Sequence, residues 1–200
     1  YQGGPTLHDG DVIVRVTGGL GTGPVMVDGT SSSSLPPILT FENTASAGSL
    51  SILNRNAGQT GFADSSTAGS ATIVNEAGAT AFYDTSSAGA ATISSQGTGA
   101  VLFAEQSSAG HARITNGAGS LLAFLDASTA DGATVVNQTT GLLDISGMAT
   151  GGISIGSLSG GGSIYLGGQT LTLGALNGND TIDGVIADGG ILGGTGGSLV

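Results

Sequence analysis

All five phenylalanines of this chain stand in one series: Phe41, Phe62, Phe82, Phe103 and Phe124, at spacings of 21, 20, 21 and 21 residues. Four other columns keep step with them. Eleven residues after each comes Ile52, Ile73, Ile93, Ile114 or Val135, and thirteen after comes Asn54, Asn75, Ser95, Asn116 or Asn137. Seven after come Gly48, Gly69, Gly89 and Gly110, slipping one place to Gly132 in the fifth copy. Two after come Asn43, Asp64, Asp84, Glu105 and Asp126, and a sixth copy is expected to begin at Leu142 with Asp144. A unit this short cannot bury a core alone, so the copies must stack on one another.

The pattern within each copy says how they stack. Short stretches such as AlaThrIle at 71–73 alternate in character, and Gly- and Ser-rich corners separate them. No helical period is present. About 20 residues accommodate three short strands and three turns, and coils stacked in parallel register repeat at roughly 4.8 Å. The expected fold is therefore all-β, a right-handed parallel β-helix of about 20 residues per coil. Nine or ten coils would make a rod about 45 Å long. Positions two apart share a face, so Ala71, Ile73 and Asn75 are expected inside, with Asn75 in an amide ladder along a corner. Thr72, Thr92, Arg113 and Thr134 are expected to face out, and the recurring glycine to take a positive φ.

Three regions emerge. Residues 1–40 are less regular and read as a cap or first coils, with a strand-like DVIVRVTGG at 11–19 and a loop or bridge at SSSSLPP, 31–37. Residues 41–150 carry the 20–21-residue repeats. Residues 151–200 read as slimmer Gly-rich coils, because GISIGSLSGGGSI (152–164) aligns with TLTLGALNGNDTI (170–182) at a spacing of 18. That alignment sets Ile153 on Leu171, Gly160 on Gly178 and Ile164 on Ile182. ILGGTGGSLV at the C-terminus reads as the start of a further strand, so the chain is expected to be a fragment of something longer.

Composition narrows the partners. Low charge with a positive mean hydropathy argues against disorder. A net charge of −11, opposed only by Arg15, Arg55 and Arg113, disfavours nucleic acid and anionic membrane surfaces. There is no apolar run long enough to span a bilayer in this fragment. Zero cysteines exclude disulfides and thiolate metal sites, and would suit a chain that crosses a periplasm unfolded.

The phrase F-x-D-x-S-[ST]-A-G-x-A-T-I-x-N resembles repeats of bacterial autotransporter passenger domains. The stretch 151–190 is similar to the segment preceding a passenger-associated transport repeat, and GGTGGSLV (193–200) to the opening of that repeat. The resemblance covers about Phe41 to Val200. It implies an extracellular, bacterial cell-surface location, anchored through a C-terminal outer-membrane β-barrel that is absent from this chain.

The acidic column is the most tempting site. Asp64, Asp84, Glu105, Asp126 and Asp144 could form a row of Ca²⁺ sites, since Ca²⁺ takes oxygen ligands. The plainer expectation is that each carboxylate accepts hydrogen bonds from the Ser- and Thr-rich turn after it. Asp180 lies in GNDTIDG (178–184), which resembles the calcium-binding nonapeptide but lacks its leading Gly pair. An ordinary turn is expected there, and no metal or other cofactor overall. His111 and Arg113 interrupt the repeat and could share a face near Glu105. A solvated surface is the expected reading, and no catalytic or cofactor-binding residue is assigned. The outward Thr column could suit ice or glycans, but Arg113 breaks it.

A non-enzymatic structural stalk or adhesin is thus the expected function, with an unassigned host or cell-surface ligand. The alternative is a self-assembling extracellular filament, through homo-association of open β-helix ends. A glycan-active β-helix enzyme is the third reading, and the lack of a basic cluster weighs against it.

Overall fold

The computed structural model describes residues 4–29 and 35–200. Part of the loop expected at 31–37 therefore lies outside the described residues. In chain order the strands are β1 (Thr6–Leu7), β2 (Asp11–Val14), β3 (Val25–Asp28), β4 (Ile38–Phe41), β5 (Ser51–Arg55), β6 (Gln59–Phe62), β7 (Thr72–Glu76), β8 (Ala79–Phe82), β9 (Thr92–Gln96) and β10 (Ala100–Phe103). They continue as β11 (Arg113–Asn116), β12 (Leu121–Asp126), β13 (Ala130–Asn137), β14 (Leu142–Met148), β15 (Gly152–Ser159), β16 (Ser163–Tyr165), β17 (Thr170–Leu173), β18 (Ile186–Ala187) and β19 (Ser198–Leu199). The odd-numbered strands form one sheet of ten in sequence order, and the even-numbered ones a second sheet of nine. Neighbouring strands in both sheets are parallel, as in β7–β9 and β8–β10. The protein is a parallel β-helix.

The third side of each coil is shorter than a strand. It is a line of single-residue bridges, Ser46 to Thr67 to Ser87 to Ser108 to Thr129. The expected third strand shrinks to one residue because a left-handed corner stands on each side of it. Asp64 at φ 56° precedes Thr67, and Gly69 at φ 64° follows. A Cβ at Gly69 would meet the Gly48 carbonyl oxygen at 2.8 Å, so glycine is needed there for space as well as for φ. The slipped Gly132 has a different reason. It is absent from the positive-φ glycines, β13 runs straight through it, and a Cβ would lie 2.5 Å from His111 Nδ1.

One rung shows the core. Ile73, Asn75, Thr80, Phe82, Ser86, Ala88 and Ala91 are all fully buried, while Thr72 and Thr92 between them face solvent. The five phenylalanine rings stack face to face, with centroids 4.9, 4.8, 4.7 and 5.0 Å apart and interplanar angles of 5–8°. Isolated aromatic pairs favour offset or edge-to-face geometry. Here the register sets the stack, because the strands beneath the rings already lie about 4.8 Å apart.

The polar corner is equally regular. Asn54 Nδ2 donates to Asn75 Oδ1 at 2.9 Å, Asn75 Nδ2 to Ser95 Oγ at 3.1 Å, and Asn116 Nδ2 to Asn137 Oδ1 at 2.8 Å. Further bonds tie the ladder to the turns: Thr80 Oγ1 of the same coil donates to Asn75 Oδ1, and Asn75 Nδ2 donates to the Ala100 carbonyl of the next coil. The expected amide ladder exists and satisfies buried backbone at the turn.

The register departs from the expected one at two places. Leu142 and Leu143 sit beside Leu121 and Leu122, and Asp144 beside Ala123, before a bulge shifts the pairing to Leu125 with Gly147. Leu142 therefore sits three positions before the phenylalanine column it was expected to join, and Asp144 is not in the acidic column. Further on, Gly152–Ile155 do pair with Thr170–Leu173 at the spacing of 18. Beyond that, Gly160 bridges to Ile182 and Ile164 pairs with Ile186, not with Gly178 and Ile182. The exposed turn around Leu176 and Asn177, with Asn177 at φ 51°, absorbs the difference of four residues. Thr170 pairs with Ser198, a rung of 28 residues, so these coils are uneven in contour, not uniformly slimmer.

Candidate functional site

The acidic column forms a ladder whose acceptors run across rungs. The amide of Asn43 donates to Asp64 Oδ2 at 2.7 Å, that of Asp64 to Asp84 Oδ2 at 2.8 Å, that of Asp84 to Glu105 Oε2 at 2.6 Å, and that of Glu105 to Asp126 Oδ2 at 2.9 Å. The expected donors, the Ser and Thr groups of the turn that follows, are replaced by the backbone of the preceding coil. The cause is the backbone itself: all five corner residues have φ between 53° and 58°. Each left-handed corner amide finds its acceptor one rung on, and Asn and Asp tolerate this conformation best. Every carboxylate is exposed, so water screens the like charges along the column.

This geometry predicts a specific mutational contrast. Asp84→Asn keeps an acceptor oxygen and a residue suited to φ near 53°, and Asn43 already occupies the equivalent corner. It should leave stability nearly unchanged in chemical denaturation, while Asp84→Ala lowers it by roughly 1 kcal/mol through loss of one hydrogen bond. A column held together by Ca²⁺ would instead be damaged alike by both changes, and chelator would lower its melting temperature.

Asp180 and Asp144 serve other ends. Asp180 accepts from Ser157 Oγ at 2.7 Å and from the Leu158 amide at 3.2 Å, pinning the loop that follows β17 against β15. Asp144 is fully buried. Its Oδ1 accepts from the Ser146 amide at 2.8 Å and the Ser146 hydroxyl at 2.7 Å, and its Oδ2 from the Ile191 amide at 2.7 Å. The Ser146 hydroxyl in turn accepts from the Leu192 amide at 3.0 Å. Asp188 fixes the same segment by accepting from the amides of Gly196 and Gly197, both at 2.9 Å. Residues 188–197 thus form a strap tied to β14. Asp144→Ala should speed amide hydrogen exchange at Ile191 and Leu192 while leaving Ile73 and Ile93 protected; equal acceleration at all four would contradict a local tie.

His111 and Arg113 are both exposed. Arg113 sits in register between Thr92 and Thr134, His111 covers Gly132, and Glu105 is engaged by the Asp84 amide. Among the described residues the ion pairs are Arg15 with Glu42 and Arg55 with Asp28, and neither includes His111 or Arg113. The Arg55 pair is one that column reading passes over. Asp28 is almost wholly buried and takes Arg55 Nη2 at 2.6 Å and Asn56 Nδ2 at 2.9 Å. The Arg55 guanidinium is held above its ordinary range, first by its hydrogen bond to Asp28 and then by that carboxylate's charge. Among the described residues no group of three or more acidic, His or Cys side chains is placed to hold a metal ion, and no helix is long and apolar enough to cross a membrane.

No protein-family model, curated protein or solved structure matches this chain.

A different grouping does come together. Gln59, Gly61 and Tyr83 depart from their columns, where the neighbouring copies carry Ala79 and Ala100, Ala81 and Leu102, and Ala63 and Ala104. The fold places all three on the outer face of the nine-stranded sheet, around one notch. Comparing each copy with the next is the signal that finds them.

Proposed function

We propose that the chain is a non-enzymatic structural stalk, the rod portion of a bacterial cell-surface autotransporter passenger that carries an adhesive region away from the cell. The observation that supports it is the commitment of the chain's chemistry to its own backbone. The carboxylates of Asp64, Asp84, Glu105 and Asp126, and those of Asp144, Asp180 and Asp188, accept from main-chain amides of other coils or loops. Such residues hold a rod together and leave little for turnover. The mechanism is geometric: each rung is the template for the next, so length is gained by adding copies.

Surface labelling of intact source cells tests this reading. An antibody raised against the chain should bind without permeabilisation, and external protease should remove the epitope. Labelling only after permeabilisation would contradict it. Ultracentrifugation of the chain should give an elongated monomer, whereas fibres that lengthen with time would favour the filament.

A further inference from the structure

The outer face of the nine-stranded sheet carries a notch of about 180 Å³. Ile38, Ala79 and Ala81 form its apolar walls, and Thr40, Gln59 and Tyr83 bring polar groups to its rim. The repeat supplies an internal control for what the scaffold requires. At the position of Gly61 the other copies hold Thr40, Ala81 and Leu102, side by side in the same register. Gly61 lies inside β6 without a positive φ. A Cβ there would meet only Thr40 Oγ1 at 3.7 Å and Thr40 Cγ2 at 3.8 Å, which are ordinary contacts. The fold therefore does not need this glycine. Glycine weakens a strand, and inside one it goes with a bulge, a tight bend or close approach of another group; β6 pairs with β4 and β8 without a register shift at Gly61, so no bulge accounts for it.

Tyr83 supplies the second half of the observation. It is 39% exposed. Its neighbours in the column are Ala63 and Ala104, so its ring stands free beside the gap left by Gly61. Among the described residues the side chains of Thr40, Gln59 and Tyr83 have no hydrogen-bond partner. The notch lining contains no charged residue, on a chain of net charge −11. Three departures from the repeat, none demanded by packing, thus converge on one uncharged notch with an aromatic face, an amide and two hydroxyls.

We propose that this notch binds a neutral pyranose sugar. The Tyr83 ring offers a weakly negative face for the polarised C–H bonds of one sugar face. The Gln59 amide, with two donors and an acceptor, suits a pair of neighbouring hydroxyls, and Thr40 serves a third. The volume is below the roughly 300–1,000 Å³ of sites for drug-sized ligands, so one ring fits. The site does not depend on the rod being a cell-surface stalk.

The test is an amide-resolved NMR titration of the 200-residue chain with methyl glucopyranoside, methyl galactopyranoside and N-acetylglucosamine, with sorbitol as an acyclic control. At least one sugar should give saturating shifts at the Gly61 and Tyr83 amides and the Gln59 side chain, with a Kd of about 1–10 mM. Sorbitol should give none. Gly61→Leu places in the notch the residue its column already accepts at Leu102; it should weaken binding at least tenfold with an unchanged or raised melting temperature. Tyr83→Ala should weaken it as much. Absence of saturation with all three sugars overturns the proposal, as does binding that survives both substitutions or equal shifts with sorbitol.

Discussion

Phe82→Ala should destabilise the protein by about 3–5 kcal/mol, the range for truncating a core aromatic. Phe82 is fully buried and stands at the centre of the stack, 4.8 Å from the Phe62 ring and 4.7 Å from that of Phe103. Its removal breaks two ring contacts and leaves a cavity that cannot collapse, because the strands on each side are fixed by their own ladders. Phe41 ends the series, with one ring neighbour, and Val14 in register on its other side. Phe41→Ala should therefore cost measurably less. Urea denaturation of both variants checks the order. A loss under about 1 kcal/mol at Phe82 would place that ring outside the core.

The second large effect is at Asn75. Its side chain accepts from Asn54 and Thr80 and donates to Ser95 and to the Ala100 carbonyl, all within a fully buried corner. Asn75→Ala strands several of these groups and should cost roughly 2–4 kcal/mol, since unsatisfied buried polar atoms retain their desolvation penalty. The protein carries its own compensated version one rung on. There Ser95 replaces the asparagine, and Val101 stands in register with Thr80. Asn75→Ser alone leaves Thr80 short of its partner. Adding Thr80→Val should recover most of the loss, as a double-mutant cycle of denaturation curves would show. Strict additivity of the two changes would mean that the corner is not a coupled network.

The rod was legible because its causes are local or periodic. Phe62, Ile73 and Asn75 are placed by alternation along a strand and by a repeat near 21 residues, both visible in a line of letters. What escaped depends on contacts that neither period encodes. Asp144 resembles the next member of the acidic column, but the ladder keeps its 21-residue step through this point, which seats Asp144 beside Ala123 and not beside Asp126, and there it is fully buried. Its partner Ile191 lies 47 residues away, in a strap with no repeat to announce it. The column carboxylates stand at corners, as the repeat implies, yet their donors are main-chain amides one coil back, and every sequence carries amides everywhere. Tyr83 and Gln59 are uncharged departures from the repeat, so neither stands out by charge as His111 and Arg113 do. The uncharged ones were the departures that converged.

The central claim is that each repeat adds one rung to a straight parallel stack. The absence of cysteine makes this directly measurable, since any introduced pair is unique for spin labelling. Met26, Leu53, Val74, Ser94, Thr115 and Val136 occupy one register column on successive rungs. Electron–electron dipolar distances from a label at Met26 should lengthen by about 5 Å for each rung crossed, so the pair with Val136 lies about 14 Å beyond the pair with Val74. Narrow distributions with that increment are the predicted result. Equal distances for the two pairs, or broad distributions that grow without a constant step, would contradict the stack.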